Sequence, residues 1–146
     1  MVRLSLSEFA DKVNELMPVI IRTFLKQQST EFYKIKLTMP QFVILDILQR
    51  HGESKMSDLA KSLSVTTAAM TGIVDRLVRE GYLRRESDPK DRRIIKIRLT
   101  AKGERAVTQI LEKKKQMIIK MFGMISQGER EEYLRILTHI RDHLKD

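Results

Sequence analysis

Small polar residues in the middle of the chain carry groups suited to recognising nucleic acids. Thr66, Thr67, Ala68 and Thr71 fall within one predicted helix. A threonine hydroxyl can hydrogen-bond either kind of base edge, and the methyl groups of threonine and alanine can contact thymine. Because these side chains are small, the helix backbone can come close to the bases. The segment predicts a helix that reads the major groove of double-stranded DNA.

Basic residues follow in the run DPKDRR, at residues 88–93. Lys90, Arg92 and Arg93 would lie at the tip of a hairpin, and a narrow, strongly negative minor groove attracts arginine. Asp91 would repel phosphate, so we expect it to hydrogen-bond a neighbouring arginine, with Arg93 favoured, and to hold its guanidinium in place. Singly, helix threonines and a charged hairpin are more often solvated surface; their order along the chain favours DNA binding.

The spacing of apolar residues predicts the helices that would position these groups. Residues 56–65 and about 66–80 have the pattern of two short helices joined by a turn, and Gly81 lies where the second would end. Arg76 and Arg79 lie further along the second helix, better placed for phosphates than for bases. Such contacts set the register of a protein on DNA without carrying sequence information.

A hairpin is expected at about 82–99. In its second half, apolar residues from Ile95 to Leu99 alternate with lysine and arginine, the period of a strand with a charged outer side. An Asp-Pro pair at residues 88–89 suits the first two positions of a type I turn. A helix-turn-helix followed by a basic-tipped hairpin is a winged helix, which we expect over residues 38–99.

A further helix is expected before the winged helix, over residues 5–28. Ser5 and Glu8 have the spacing of a capping box, and a helical stripe of apolar residues follows. Pro18 lies inside this pattern, where it removes a backbone donor and should kink or split the helix. Residues 31–37 are expected to form a mixed connector.

Two more helices are expected after the hairpin, one over residues 100–124 and a last one capped by Ser126 and Glu129. A single winged helix cannot cover the apolar stripes of the first and last helices, and exposed stripes mark an interface. Residues 1–37 and 100–146 are therefore expected to form a homodimer about a twofold axis. The residues expected at this interface are Leu6, Phe9, Val13, Tyr133, Leu137, Ile140 and Leu144.

The composition fits one mainly α domain of 146 residues with a small β-hairpin. Lys and Arg number 28 against 19 Asp and Glu, a net charge of +9 that favours an acidic partner. The surplus is highest over residues 54–99, which favours DNA over a membrane surface. The chain has no cysteine, which excludes disulfides and thiol nucleophiles and agrees with a cytoplasmic location. No apolar run approaches the ~20 residues of a membrane span.

Residues suited to metal binding or catalysis are few. His139 and His143 share one helix face, as two metal ligands would, but a zinc site needs at least a third ligand. Asp142 or Asp146 could supply it, although two polar residues at the end of a helix are the favoured interpretation. No phosphate loop, nucleophile elbow or zinc-protease motif occurs. We expect no cofactor, no metal and no enzymatic activity.

Two runs carry a resemblance to a known family. DPKDRRIIKIRLTAKG, from Asp88 to Gly103, resembles the wing signature of the MarR family of transcription regulators, and residues 59–85 resemble its helix-turn-helix. The resemblance implies a dimeric repressor that binds a pseudo-palindromic operator and is released by a small ligand, phenolic or otherwise lipophilic. The Asp-x-Arg wing motif of the family falls on Asp91 and Arg93. It implies that Arg93 enters the minor groove and that Arg92 contacts phosphate.

An alternative from a different class is an architectural, nucleoid-type protein without an effector, which would bind many sites through charge and groove shape. The small, base-compatible face of the recognition helix favours the regulator. A specificity ratio near one over random DNA would favour the architectural protein.

Overall fold

The computed structural model describes residues 3–27 and 35–144, so residues 31–34 of the predicted connector lie outside the described part. The elements in chain order are α1 (Leu6–Gln27), α2 (Met39–His51), β1 (Glu53–Lys55), α3 (Met56–Ser62), α4 (Thr67–Arg79), β2 (Leu83–Ser87), β3 (Ile95–Leu99), α5 (Ala101–Phe122) and α6 (Gln127–His143). The chain divides into two compact units, residues 31–112 and residues 1–30 with 113–146. The first holds a winged helix. The predicted fold class, mainly α with a small β wing, is confirmed.

Polar caps begin α1 and α6 at the predicted places. The amide of Glu8 donates to the hydroxyl of Ser5 at 3.2 Å, and the Glu8 carboxylate accepts from the amide of Ser5 at 2.8 Å. Ser126 and Glu129 form the same reciprocal pair before α6. The hydrogen bonds that the serine amides donate lower the pKa of both glutamates, since they favour the ionised carboxylate. Of the kink or split expected at Pro18, the split does not occur, because α1 continues through this residue.

The sheet has three antiparallel strands in the order β1-β3-β2, so β3 is central. Strands β2 and β3 form the predicted hairpin, with Leu83 opposite Leu99. The sequence did not predict the third strand, β1, which pairs along the other side of β3, with Glu53 opposite Arg98. Strand β1 consists of three polar residues, so no apolar alternation could announce it.

The core of the winged helix lies between α2, α3, α4, the sheet and the first turns of α5. One apolar face of each of α2, α3 and α4 is buried in this core, and Ile44 of α2 is fully buried in it. Its buried members are Ile44, Leu45, Leu48, Leu59, Ala60, Met70, Val74, Leu77, Leu83, Ile97, Leu99 and Val107. Because α4 packs through one face, its other face is left for a partner.

The start of α5 is locked onto the turn between α4 and β2. Gly81 has φ of 83°, a left-handed conformation that suits glycine. The hydroxyl of Thr100 donates to the carbonyl of Gly81 at 2.5 Å and accepts from the amide of Gly103 at 3.1 Å. A Cβ on Gly103 would lie 2.2 Å from the carbonyl oxygen of Tyr82, so only glycine fits there. This close approach fixes the end of α4.

In the other unit, α5 and α6 pack through aromatic and polar contacts. The rings of Phe122 and Tyr133 lie 4.9 Å apart between centroids, and the guanidinium of Arg130 donates to the carbonyl of Phe122 at 3.0 Å. None of the helices in the described ranges is both long and apolar enough to cross a membrane.

Candidate nucleic-acid interface

The predicted recognition helix is α4, and its threonines differ in whether their hydroxyl groups already form hydrogen bonds within the helix. Thr66 is the N-cap, and its hydroxyl oxygen accepts from the amide of Ala69 at 3.1 Å. The hydroxyl of Thr71 donates to the carbonyl of Thr67 at 2.8 Å, within the same helix. Thr67 and Ala68 are exposed. The start of α4 therefore presents the Thr67 hydroxyl together with several methyl groups.

The far end of α4 carries the predicted phosphate-contacting residues. Arg76 and Arg79 are exposed, and neither has an acidic partner within the described residues. Lys102 of α5 donates from Nζ to the carbonyl of Glu80 at 2.6 Å, just after the helix. A cation at this position opposes the negative end of the helix dipole. The end of α4 is thus both capped and positively charged.

Two aspartates shape the loop between β2 and β3. The Asp88 carboxylate accepts from the amide of Lys90 at 2.8 Å, and the Asp91 carboxylate accepts from the amide of Arg93 at 3.0 Å. The amide of Ile94 donates to the carbonyl of Asp91 at 3.0 Å. The expected partner of Asp91, Arg93, is confirmed, but Asp91 bonds the backbone amide of Arg93, so the expected hold on its guanidinium is wrong. Asp91 therefore fixes the turn and leaves the Arg93 side chain to a partner.

Ion pairs sort the positive charges of the hairpin into two groups. Four cations of the two hairpin strands are paired. Arg84 lies 2.7 Å from Glu86, and Lys96 lies 2.7 Å from Glu53 and 3.1 Å from Asp88. Arg98 lies 2.9 Å from Glu86 and also pairs with Glu53, and Arg85 pairs with Asp75. The tip residues Lys90, Arg92 and Arg93 are exposed and have no ion pair within residues 3–27 and 35–144. The uncompensated charge of the hairpin is confined to its tip.

One of these ion pairs joins the recognition helix to the wing. Asp75 of α4 pairs with Arg85 of β2, and neither residue was singled out from the sequence. The two are ten residues apart, outside the spacing at which helix neighbours pair. Only the fold brings them together.

The two histidines of α6 lie against each other, with ring centroids 4.4 Å apart and Nδ1 of His143 at 2.8 Å from the carbonyl of His139. Across the part of the chain that the structure describes, no three potential metal-ligating side chains come together.

The residues predicted at a dimer interface are exposed in the single chain. Their exposed fractions run from 37% for Val13 to 83% for Leu6. The others are Phe9, Tyr133, Leu137, Ile140 and Leu144.

Comparison with known proteins identifies the family. A sequence profile described as MarR family matches residues 37–95, which include α2, α3, α4 and most of the wing. The HTH-type transcriptional repressor NicR of Pseudomonas putida is 33% identical over 107 residues, covering 73% of this chain and 68% of that protein. The chain belongs to the MarR family. Its relatives are described as transcriptional regulators.

Solved structures share the fold. RV1404 from Mycobacterium tuberculosis matches with a TM-score of 0.81 and 26% identity over 97% of this chain and 96% of that one. A mutant of MarR from E. coli, complexed with operator DNA, matches with a TM-score of 0.62 and 20% identity over 94% of this chain and 99% of that one. At 20% identity, the match to this MarR structure shows a shared fold only.

Proposed function

We propose that this MarR family protein is a sequence-specific, double-stranded DNA-binding repressor. The observation that carries the proposal is the sorting of charge on the winged helix. Cations on the two hairpin strands, β2 and β3, are paired with acids, while Lys90, Arg92 and Arg93 at the wing tip and Arg76 on α4 are not. A polyanion is the partner that unpaired, clustered cations favour.

The two elements divide the recognition between them. Thr66, Thr67, Ala68 and Thr71 at the start of α4 meet base edges in the major groove, where small side chains permit close approach. Arg76 contacts the backbone beside them. Arg93 enters the neighbouring minor groove with Lys90 and Arg92 on its phosphates, and Asp91 sets the turn that presents them.

The protein acts as a homodimer. Helices α1 and α6 carry large apolar side chains that are exposed in the single chain, and exposed apolar stripes of this kind mark an interface. A second copy covers this surface about a twofold axis. Two recognition helices then lie about 34–36 Å apart and match the half-sites of a pseudo-palindromic operator.

Repression and its release complete the proposal. The relative NicR is named a transcriptional repressor, which supports repression here. A small phenolic or otherwise lipophilic effector would release the DNA by favouring a dimer whose recognition helices are wrongly spaced. Membership in the family supports this part. Because its partner is chromosomal DNA, we infer that the protein acts in the cytoplasm.

The decisive experiment is fluorescence anisotropy with duplex DNA from upstream of the protein's own gene, against random duplex at the same stated salt concentration. We expect a preference of about a thousandfold or more for a site within the upstream DNA. Equal binding to both duplexes would favour the architectural alternative. Absence of binding to either would refute DNA recognition by the winged helix.

A further inference from the structure

Glu53 lies on β1, in a part of the winged helix to which the proposed function gives no role. Its carboxylate is 2.7 Å from Nζ of Lys96 on β3. The same Nζ lies 3.1 Å from the carboxylate of Asp88, at the base of the wing loop. Lys96 therefore joins an acid of the edge strand to an acid of the loop that carries the tip.

Asp88 passes this restraint into the loop. Its carboxylate also accepts from the amide of Lys90 at 2.8 Å, and its own amide donates to the carbonyl of Ile94 at 2.9 Å. Arg92 and Arg93 lie between Lys90 and Ile94 in the sequence. A continuous series of bonds thus runs from β1 to the backbone of the wing tip.

The charges in this series favour each other's ionised forms. The hydrogen bonds that Lys96 donates to Glu53 and to Asp88 raise the pKa of Lys96, the bond to Glu53 more, and the first of these bonds also lowers the pKa of Glu53. The amide of Lys90 and then Lys96 lower the pKa of Asp88. All three groups are consequently charged at neutral pH.

We propose that Glu53 is a positioning residue for DNA binding, which holds the wing tip through Lys96 and Asp88 so that Arg93 enters the minor groove. The inference rests on the proposed function and deepens it. In this role Glu53 acts on the loop and not on the DNA. The Glu53 carboxylate also pairs with Arg98, which lies on the same strand as Lys96. Neutralising Glu53 would loosen the hold on the loop.

Simple electrostatics predicts the opposite outcome for such a change. Removing an acid from a DNA-binding surface reduces repulsion and raises affinity for every duplex. A positioning role predicts weaker binding to the operator but equal or tighter binding to random DNA. The sign of the effect on operator binding therefore distinguishes a positioning role from simple electrostatics.

The test compares Glu53→Gln with Asp58→Asn. Asp58 is an exposed acid of α3, in the same winged helix, and no ion pair of the described residues involves it. We expect Glu53→Gln to raise the operator Kd about tenfold or more, to leave the random-duplex Kd equal or lower, and to reduce hydroxyl-radical protection of the flanking minor grooves. Asp58→Asn should leave operator binding unchanged or slightly tighter. In a Lys96→Gln background, Glu53→Gln should cause no further loss.

Hydrogen exchange of the free protein provides a readout without DNA. The amides of Lys90 and Arg93 should exchange faster in Glu53→Gln than in wild type, by a larger factor than the amides of α4, and Asp58→Asn should not alter them. Unchanged exchange, or operator binding by Glu53→Gln that matches the control, would overturn the positioning role and leave the proposed function intact. Failure of the wild-type protein to prefer its operator would instead refute the proposed function.

Discussion

Replacing Arg93 by alanine tests the sorting of charge directly, because a matched arginine lies on the same hairpin. Arg93 is exposed at the tip and has no ion pair in the described part of the chain. Arg84 is also largely exposed, but its guanidinium lies 2.7 Å from the carboxylate of Glu86. Each substitution removes one positive charge per chain. Only Arg93→Ala should remove a charge that is available to DNA.

The magnitude follows from counterion release. Each backbone charge that a protein neutralises contributes about 0.9 to the slope of log K against log salt concentration, so two wing tips per dimer contribute about 1.8. Between about 50 and 200 mM salt, a slope difference of that size changes the affinity ratio of wild type to Arg93→Ala about twelvefold. The affinity lost by Arg93→Ala should therefore be greatest at low salt. Arg84→Ala should keep the wild-type slope within about 0.5.

The assay is a titration of operator duplex by fluorescence anisotropy at four or more salt concentrations, with unfolding temperatures measured for both variants. Equal slopes for Arg93→Ala and wild type would refute the assignment of the wing tip to DNA. A slope for Arg84→Ala that falls as far as that of Arg93→Ala would show that ion pairing does not withhold strand cations from DNA.

Three further predictions concern stability and assembly. In urea titrations, Gly103→Ala should lower the free energy of unfolding by about 1–3 kcal/mol, because its Cβ would meet the carbonyl of Tyr82. The control Gly72→Ala places its Cβ where no atom lies within 4 Å, so it should raise the free energy of unfolding by about 0.5–1 kcal/mol. Ile140→Glu should give monomers in light scattering and lose operator binding; a dimer would contradict the proposed interface. Since the pKa of Glu53 is lowered from 4.5, its stabilisation is complete above that pH and is lost as the pH falls below it, so Glu53→Gln should flatten the acid side of the unfolding profile.

Features set by near neighbours in the chain could be predicted from the sequence. The apolar period of α4 that buries Met70, Val74 and Leu77, and the left-handed turn at Gly81, follow from residues a few positions apart. The tip cations were predicted from the same local pattern. These features depend on helix periodicity and turn chemistry, which a single sequence displays.

Features set by strand register could not be predicted. Strand β1 exists because β3 offers it hydrogen-bonding partners, and its own polar residues give no sign of this. The pair of Glu53 and Lys96 joins residues 43 apart. Asp91 was assigned to a guanidinium because charge suggests that partner, yet the tight turn brings the amide of Arg93 nearer. Pairing over such distances requires the fold itself.

The separation of β1 from β3 has a consequence during synthesis. The hairpin of β2 and β3 can close within microseconds of leaving the ribosome, since its two strands are adjacent. Strand β1 is made first and then waits for Lys96, 43 residues later, which at roughly 5–20 residues per second takes about 2–9 s. An unpaired edge strand invites association with other nascent chains. Here the waiting strand is Glu53–Lys55, short and charged, so it can remain unpaired in water without attracting them.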